Sequence, residues 1–214
     1  MCRKGQTMKK EERMKKLIDA TMQIVAEKGL NGFSMIQASR KAGINEGLMY
    51  RDFGTKDNLL FACYDTFNHD IGLLFTDIEF HSRKIPIHDQ IHILWKLYFD
   101  FLVKSTYKTI FYLEYRDSQY IHTILEKKNE IIERDFSRHS MYTNRLRQIC
   151  PQLTEDMEKY IRTYTLDCTG IFAKRVIRGE LPNTEESADI IWGIMKKGID
   201  GLFPEDLYLL NEKA

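Results

Sequence analysis

The chain has 214 residues, 43% of them hydrophobic, which is enough to bury the core of one large domain or of a small domain fused to a larger one. No apolar run approaches the length of a membrane span, and no apolar segment typical of an export signal follows the basic first residues, so we expect a cytoplasmic protein. The four cysteines are widely scattered, which argues against a disulfide framework.

Charge is unevenly distributed along the chain. Residues 1–60 contain 12 Lys and Arg against 7 Asp and Glu, a net charge of +5, whereas residues 61–214 contain 20 against 24, a net charge of −4. A basic end joined to a mildly acidic remainder is typical of a module that touches a polyanion, attached to a body that does not.

Three helices are predicted at the N-terminal end, of which the second and third are short. Apolar residues recur at helical spacing over residues 14–28 and stop at a glycine. Ser34, with a glutamine three residues later, forms a capping box in front of a second helix of about two turns, which Gly43 ends. Asn45 can cap a third helix, which Gly54 ends. A helix, a tight glycine turn and a helix therefore occur within twenty residues.

The rest of the chain also shows helical spacing of apolar residues, without the strict alternation of strands. A long helix is predicted after Thr55, and the last two helices follow start signals at Thr154 and Asn183. We therefore predict an all-α fold, with a three-helix helix-turn-helix domain over residues 1–55 and a larger helical bundle over residues 56–214.

Residues 42–57 combine an Ala-Gly turn, a short helix containing glycine and an apolar-Tyr pair, and the run Phe-Gly-Thr-Lys-Asp. This segment resembles the DNA-binding segment of the TetR family of transcriptional regulators, and the resemblance extends over roughly the first quarter of the chain. It implies an N-terminal DNA-binding domain and a C-terminal domain that binds a ligand and dimerises through the last two long helices, here residues 154–178 and 184–200.

The third predicted helix has an inward and an outward face. If Ile44, Met49 and Phe53 hold it to the first two helices, it can lie in a major groove with its remaining residues towards the DNA. Gly47 would then let the backbone approach the duplex closely, and Leu48 could touch a thymine methyl group. The residues expected to face the groove are Asn45, Glu46, Gly47, Leu48, Tyr50 and Arg51.

Phosphate contacts are expected from residues that match the family motif. The resemblance assigns such contacts to Ser34, Tyr50 and Lys56, and Asn45 could bond either a base edge or a phosphate. At Asp52 the sequence departs from the family, whose members often carry His there, and a carboxylate facing DNA would repel phosphate. The role of Asp52 stays open at this point.

Aromatic residues are frequent in the middle of the chain. An aromatic stripe at helical spacing suits an ordinary core, but a cavity between helices can also pair tyrosine hydroxyls with a ligand. The resemblance implies such a pocket, to which Glu114 could add a polar contact. The candidate ligand-binding residues are Trp95, Tyr98, Leu102, Tyr112, Tyr115, His122, Tyr164 and Phe172.

His88 and His92 lie at i, i+4, the spacing found in zinc peptidase helices. A peptidase would also need a general-base glutamate and a third ligand, and the shorter Asp89 lies between these histidines. No phosphate-binding glycine loop, nucleophile elbow or paired-carboxylate signature is present. We therefore predict no metal site, no cofactor and no enzymatic activity.

The leading hypothesis is a homodimeric transcriptional regulator that binds a palindromic operator in double-stranded DNA. It would act as a repressor that a small-molecule effector, bound in the C-terminal domain, releases from the operator. The alternatives are a helical interaction module that keeps a helix-turn-helix shape, and a helical-bundle enzyme that uses the aromatic cavity. Salt-dependent binding to duplex DNA separates the first hypothesis from the other two.

Overall fold

The computed structural model describes residues 9–82, 87–121 and 152–200, and within these ranges every regular element is helical. This confirms the predicted all-α fold class. In chain order the helices are α1 (Lys10–Lys28), α2 (Met35–Ala42), α3 (Glu46–Phe53), α4 (Lys56–Ser82), α5 (Ile87–Lys104), α6 (Thr106–Arg116), α7 (Glu155–Ile177) and α8 (Glu185–Asp200).

The first three helices begin and end where local side-chain chemistry predicts. The Ser34 hydroxyl accepts from the Gln37 amide at 3.3 Å, and the Ser34 amide donates to the Gln37 side chain at 3.1 Å, which completes the capping box of α2. Gly43 ends α2 in the left-handed conformation, with φ of 66°. The Asn45 side chain caps α3 by accepting from the Gly47 amide at 2.8 Å.

The start of α8 differs slightly from the sequence interpretation. The sequence predicts a start signal at Asn183, but the Thr184 hydroxyl accepts from the Ser187 amide at 3.2 Å, and α8 begins at Glu185. Asn, Thr and Ser all cap helices well, so neighbouring candidates cannot be ranked from residue type alone. Thr154 caps α7 as expected, by accepting from the Met157 amide at 3.2 Å.

The chain divides into two compact units. Of the described residues, 9–69 and 110–121 belong to the first unit, and 70–82, 87–109 and 152–200 belong to the second. The first unit thus contains the predicted helix-turn-helix together with the start of α4 and most of α6. The boundary after residue 55 is a functional division inferred from the sequence, and it stays a prediction.

Each unit has an apolar core. In the first unit, α1 to α4 contribute fully buried side chains, including Leu17, Val25, Ala38, Met49, Leu59 and Leu60. In the second unit, the indole N–H of Trp95 on α5 donates to the Thr169 hydroxyl on α7 at 3.0 Å, inside the core. The Trp95 ring also packs 5.3 Å from the Trp192 ring on α8. Within the described ranges, no helix is long and apolar enough to span a membrane.

Candidate nucleic-acid interface

Helix α3 presents one buried and one exposed face. Ile44, Met49 and Phe53 are buried, as the predicted phasing requires. On the other face the Tyr50 residue is 46% exposed and the Arg51 side chain 64% exposed. Asn45, Glu46 and Gly47 are also exposed, whereas Leu48 is half-buried. The residues predicted to face the groove are therefore all at least partly accessible on one short helix.

The first turn of α3 is tightly built around Gly47. The Asn45 side-chain oxygen is committed to the cap, which leaves its amide nitrogen to donate to a base or a phosphate. A Cβ added at Gly47 would lie 3.1 Å from that capping oxygen. A side chain at position 47 would thus press on the capping oxygen of Asn45 and would also project from the exposed face of α3.

Ser34 lies exposed at the N-terminus of α2. Its oxygen accepts the capping hydrogen bond, so its hydroxyl proton is left to donate. Unpaired amides at a helix N-terminus also attract anions. This arrangement suits a phosphate contact, which stays a prediction.

Lys56, at the start of α4, makes internal contacts that the sequence did not predict. Its ammonium donates to the Leu30 carbonyl at 3.2 Å. It also lies 5.5 Å from the Phe33 ring centre and 5.4 Å from the Tyr120 ring centre, both in range for cation–π attraction. An ammonium has three donors, so the predicted phosphate contact stays open alongside these contacts.

Asp52 pairs with Arg13 of α1 and does not face the exposed side of α3. The Arg13 Nε lies 2.6 Å from Asp52 Oδ2, and the Arg13 Nη2 lies 3.0 Å from Oδ1. The two side chains are 6% and 2% exposed. The hydrogen bond from Arg13 holds the pKa of the Asp52 carboxyl below its usual range, while burial opposes this effect. The repulsion of phosphate considered from the sequence therefore does not arise.

Sequence reasoning missed Arg13 as the partner of Asp52. The signal that was available is position: Arg13 precedes the buried Leu17 by four residues, so a charged residue lies on the apolar face of α1. A charge on a buried face needs a partner of opposite sign.

The candidate ligand-binding residues fall into two groups. Trp95, Tyr98 and Leu102 are buried on α5 in the second unit, where Tyr164 and Phe172 of α7 are half-buried. Tyr112 and Tyr115 belong to the first unit and are described separately below. His122 lies outside the described residues. The binding of a ligand by these residues stays a prediction.

In the first unit, α4 and α6 share an aromatic cluster. The Tyr112 ring stacks on the Tyr64 ring with 5.3 Å between centres, and the Tyr115 ring stacks on Phe111 at 5.7 Å. The Tyr115 hydroxyl is buried without a hydrogen-bond partner among the described residues. Burial raises the pKa of Tyr115, so this hydroxyl stays protonated.

Glu114 makes a contact that the sequence did not predict, and its contact with a ligand stays a prediction. Its Oε1 accepts from the Leu30 amide at 3.1 Å, which ties α6 to the turn between α1 and α2. A bond to an ionised carboxylate is stronger than one between neutral groups. Glu114 therefore helps to hold the first unit together.

The histidine pair is only partly described. The ring of His92 stacks on Trp192 with 5.0 Å between centres, and its buried Nε2 has no hydrogen-bond partner among the described residues. The side chain of His88 lies outside them. No group of three or more His, Cys, Asp or Glu side chains with metal-binding geometry occurs in the described part of the chain. The absence of a metal site remains a prediction.

Residues 17–63 match the family model of bacterial regulatory proteins of the tetR family. The chain is 34% identical over 77 residues to the HTH-type transcriptional regulator BetI of Burkholderia ambifaria (strain MC40-6), an alignment that covers 36% of this chain and 40% of the relative. It is 34% identical over 89 residues to HbdR of Aromatoleum sp. (strain CIB), over 40% of this chain and 37% of that protein. The chain spans about 40% of the length of the curated relatives it matches.

Solved structures resemble the fold over most of the chain. A TetR family transcription regulator from Marinobacter aquaeolei VT8 aligns with a TM-score of 0.70 and 17% identity, covering 86% of this chain and 94% of that one. A TetR-like transcriptional regulator from Rhodococcus sp. RHA1 aligns with a TM-score of 0.60 and 19% identity, covering 91% and 100%. The fold and the site define an all-helical protein with an N-terminal helix-turn-helix. Over residues 17–63, this protein is similar to the tetR family of bacterial regulatory proteins.

Proposed function

We propose that this protein is a DNA-binding transcriptional regulator that places α3 in the major groove of duplex DNA. The observation that carries the proposal is the division of α3 into a buried face and an exposed face that includes Tyr50 and Arg51. A major groove admits one helix, whose exposed side chains then meet base edges and phosphates. A regulator of this kind would act in the cytosol, where bacterial DNA is found.

The proposal includes two kinds of contact with DNA. Arg51 is the exposed cation of α3, and a guanidinium in the major groove pairs best with the two acceptors of guanine. Ser34, Tyr50 and Lys56 would contact phosphates and so contribute affinity and register without sequence preference. Asn45, Glu46, Gly47 and Leu48 complete the proposed surface at the first turn of α3.

We further propose that the protein is a homodimer that binds a palindromic operator. Ile171 of α7 and Ile190 and Ile194 of α8 are each more than half exposed. Ile190 and Ile194 are four residues apart and share one face of α8. Among the described residues, a Cβ built on Gly193 would meet no heavy atom within 4 Å beyond its chain neighbours and its own helix backbone, which leaves room there for the close approach of a partner. A second copy of the chain would cover these isoleucines, and its two-fold symmetry would match two half-sites.

The proposed mode of control is repression relieved by a small-molecule effector in the C-terminal part. Support comes from the packed aromatic rings of α5 and α8 and from the buried Nε2 of His92, which has no partner among the described residues. A buried polar atom without a partner is costly, and a ligand or a water can supply the missing hydrogen bond. Relief of repression requires the effector to bind the free and the DNA-bound states with different affinity.

The test begins with selection of duplexes from a random library by the purified full chain. Fluorescence anisotropy then measures affinity for a selected duplex and for an unrelated duplex between low and physiological salt. We expect a palindromic selected sequence, preference for it over the unrelated duplex, and an affinity that falls steeply with salt as counterions are released. Equal and weak binding to both duplexes would overturn the proposed function. Compounds that release the selected duplex would identify the effector class.

A further inference from the structure

The Arg13–Asp52 pair joins the first helix of the chain to the last turn of α3. Its two hydrogen bonds, of 2.6 and 3.0 Å, connect the fork of the guanidinium to both carboxylate oxygens. The pair is almost fully shielded from water on both sides. It is therefore a directional contact in the core of the first unit, between two residues that are 39 positions apart in the sequence.

The pair supplies something that apolar packing on α3 does not. Helix α3 has only eight residues, and its buried apolar side chains are Met49 and Phe53. Apolar contacts are not directional, so a two-turn helix held by them alone has little to fix its rotation about its own axis. A bidentate pair between a guanidinium and a carboxylate sets both a distance and an orientation.

Asp52 also lies next to the exposed cation of the proposed DNA surface. The Nε of Arg51 lies 3.7 Å from Asp52 Oδ1, while the Arg51 side chain extends towards solvent. The carboxylate is thus flanked by a buried guanidinium and an exposed one. Any rotation of α3 that broke the buried pair would change the direction in which Arg51 leaves the helix.

We propose that Asp52, held by Arg13, is a positioning residue that fixes the rotation of α3 and the direction of Arg51, and so determines the base preference at the position that Arg51 reads. This inference rests on the proposed DNA-binding function. It assigns a role to a residue at which the sequence departs from the family pattern.

The test compares Asp52→Asn, Arg51→Ala and the double variant with the unaltered protein. Asp65→Asn is the matched control, because Asp65 is an exposed carboxylate on α4. The probes are the duplex selected from the random library by the unaltered protein, a panel with each base pair changed singly, and an unrelated duplex. Anisotropy gives the affinities, and circular dichroism confirms that each variant is folded at the assay temperature.

We expect Asp52→Asn to lower the ratio of affinities for the selected and unrelated duplexes by about fivefold or more, the size of one lost base contact. The loss should map to the base pair at which Arg51→Ala also loses preference. In the Arg51→Ala background, Asp52→Asn should change the ratio little further, because the two residues act through one contact. Asp65→Asn should keep the ratio within about twofold of the unaltered protein.

Two results would overturn the inference. One is an unchanged ratio for folded Asp52→Asn, and the other is a loss that adds in full to that of Arg51→Ala. If Asp52→Asn unfolds at the assay temperature, the same ratios are measured for Arg13→Lys, and the same two results would overturn the inference. Lysine keeps the positive charge but lacks the planar fork that pairs with both carboxylate oxygens. If the unaltered protein prefers no duplex at all, the proposed function itself fails, which is a separate result from either of these.

Discussion

The replacement Ile194→Glu tests the proposed dimer most directly. Complete burial of an isoleucine side chain contributes about 1.5–3 kcal/mol, so covering the exposed half of one contributes about 1 kcal/mol. Ile171, Ile190 and Ile194 on each of two protomers then contribute about 6 kcal/mol to association. The glutamate removes about 2 kcal/mol of this and adds several kcal/mol for the burial of two unpaired carboxylates. We expect the dimer dissociation constant to rise by about a thousandfold or more.

Sedimentation velocity over a range of protein concentrations measures this change. Leu73→Glu is the matched control, because Leu73 is 52% exposed and Ile194 is 54% exposed, but Leu73 lies on α4. We expect the control to stay dimeric and the Ile194 variant to become a folded monomer with little affinity for the selected duplex. A folded Ile194→Glu protein that stays dimeric, or a monomer that binds the duplex with unaltered affinity, would refute the reasoning.

Three further outcomes are expected. Gly47→Val should abolish binding to the selected duplex, because the new side chain would stand between α3 and the groove and its Cβ would press on the capping oxygen of Asn45. The circular dichroism spectrum and the molecular mass in solution should stay nearly unchanged. Full affinity by anisotropy would contradict the placement of α3 in the groove. Lys56→Ala should weaken binding to all duplexes alike and reduce the slope of affinity against salt, and a change in sequence preference alone would contradict a phosphate contact. The lowered pKa of Asp52 means that its ionised form stabilises the fold above about pH 4, and that this contribution is lost as pH falls through the lowered pKa. In urea unfolding, the stability difference between the unaltered protein and Asp52→Asn should therefore be largest above about pH 4 and shrink below it.

The helices of the first unit were predictable because their signals are local. The capping box at Ser34, the left-handed Gly43 and the cap at Asn45 act within a few residues of the chain, and the structure has each of them in place. The inward face of α3 also follows from helical spacing alone. Helical spacing predicts the direction in which a side chain leaves its own helix.

The partners of the polar residues were not predictable in the same way. The sequence alone suggests DNA as the neighbour of Asp52, a ligand as that of Glu114 and a phosphate as that of Lys56. Each of these side chains makes a contact with a group 26 to 84 residues away. Periodicity does not say which helix packs against a given face, so a single sequence does not reveal such pairs.

The hydrogen bond between Glu114 and the Leu30 amide makes that amide a natural reporter of the first unit. The amide belongs to the turn between α1 and α2, yet its acceptor is a side chain of α6. Exchange of its proton with deuterated solvent requires the carboxylate to move away, because a hydrogen-bonded amide exchanges only on opening. The deuteration rate at Leu30 thus measures how often the end of α6 separates from the helix-turn-helix, in the free protein and with any bound molecule.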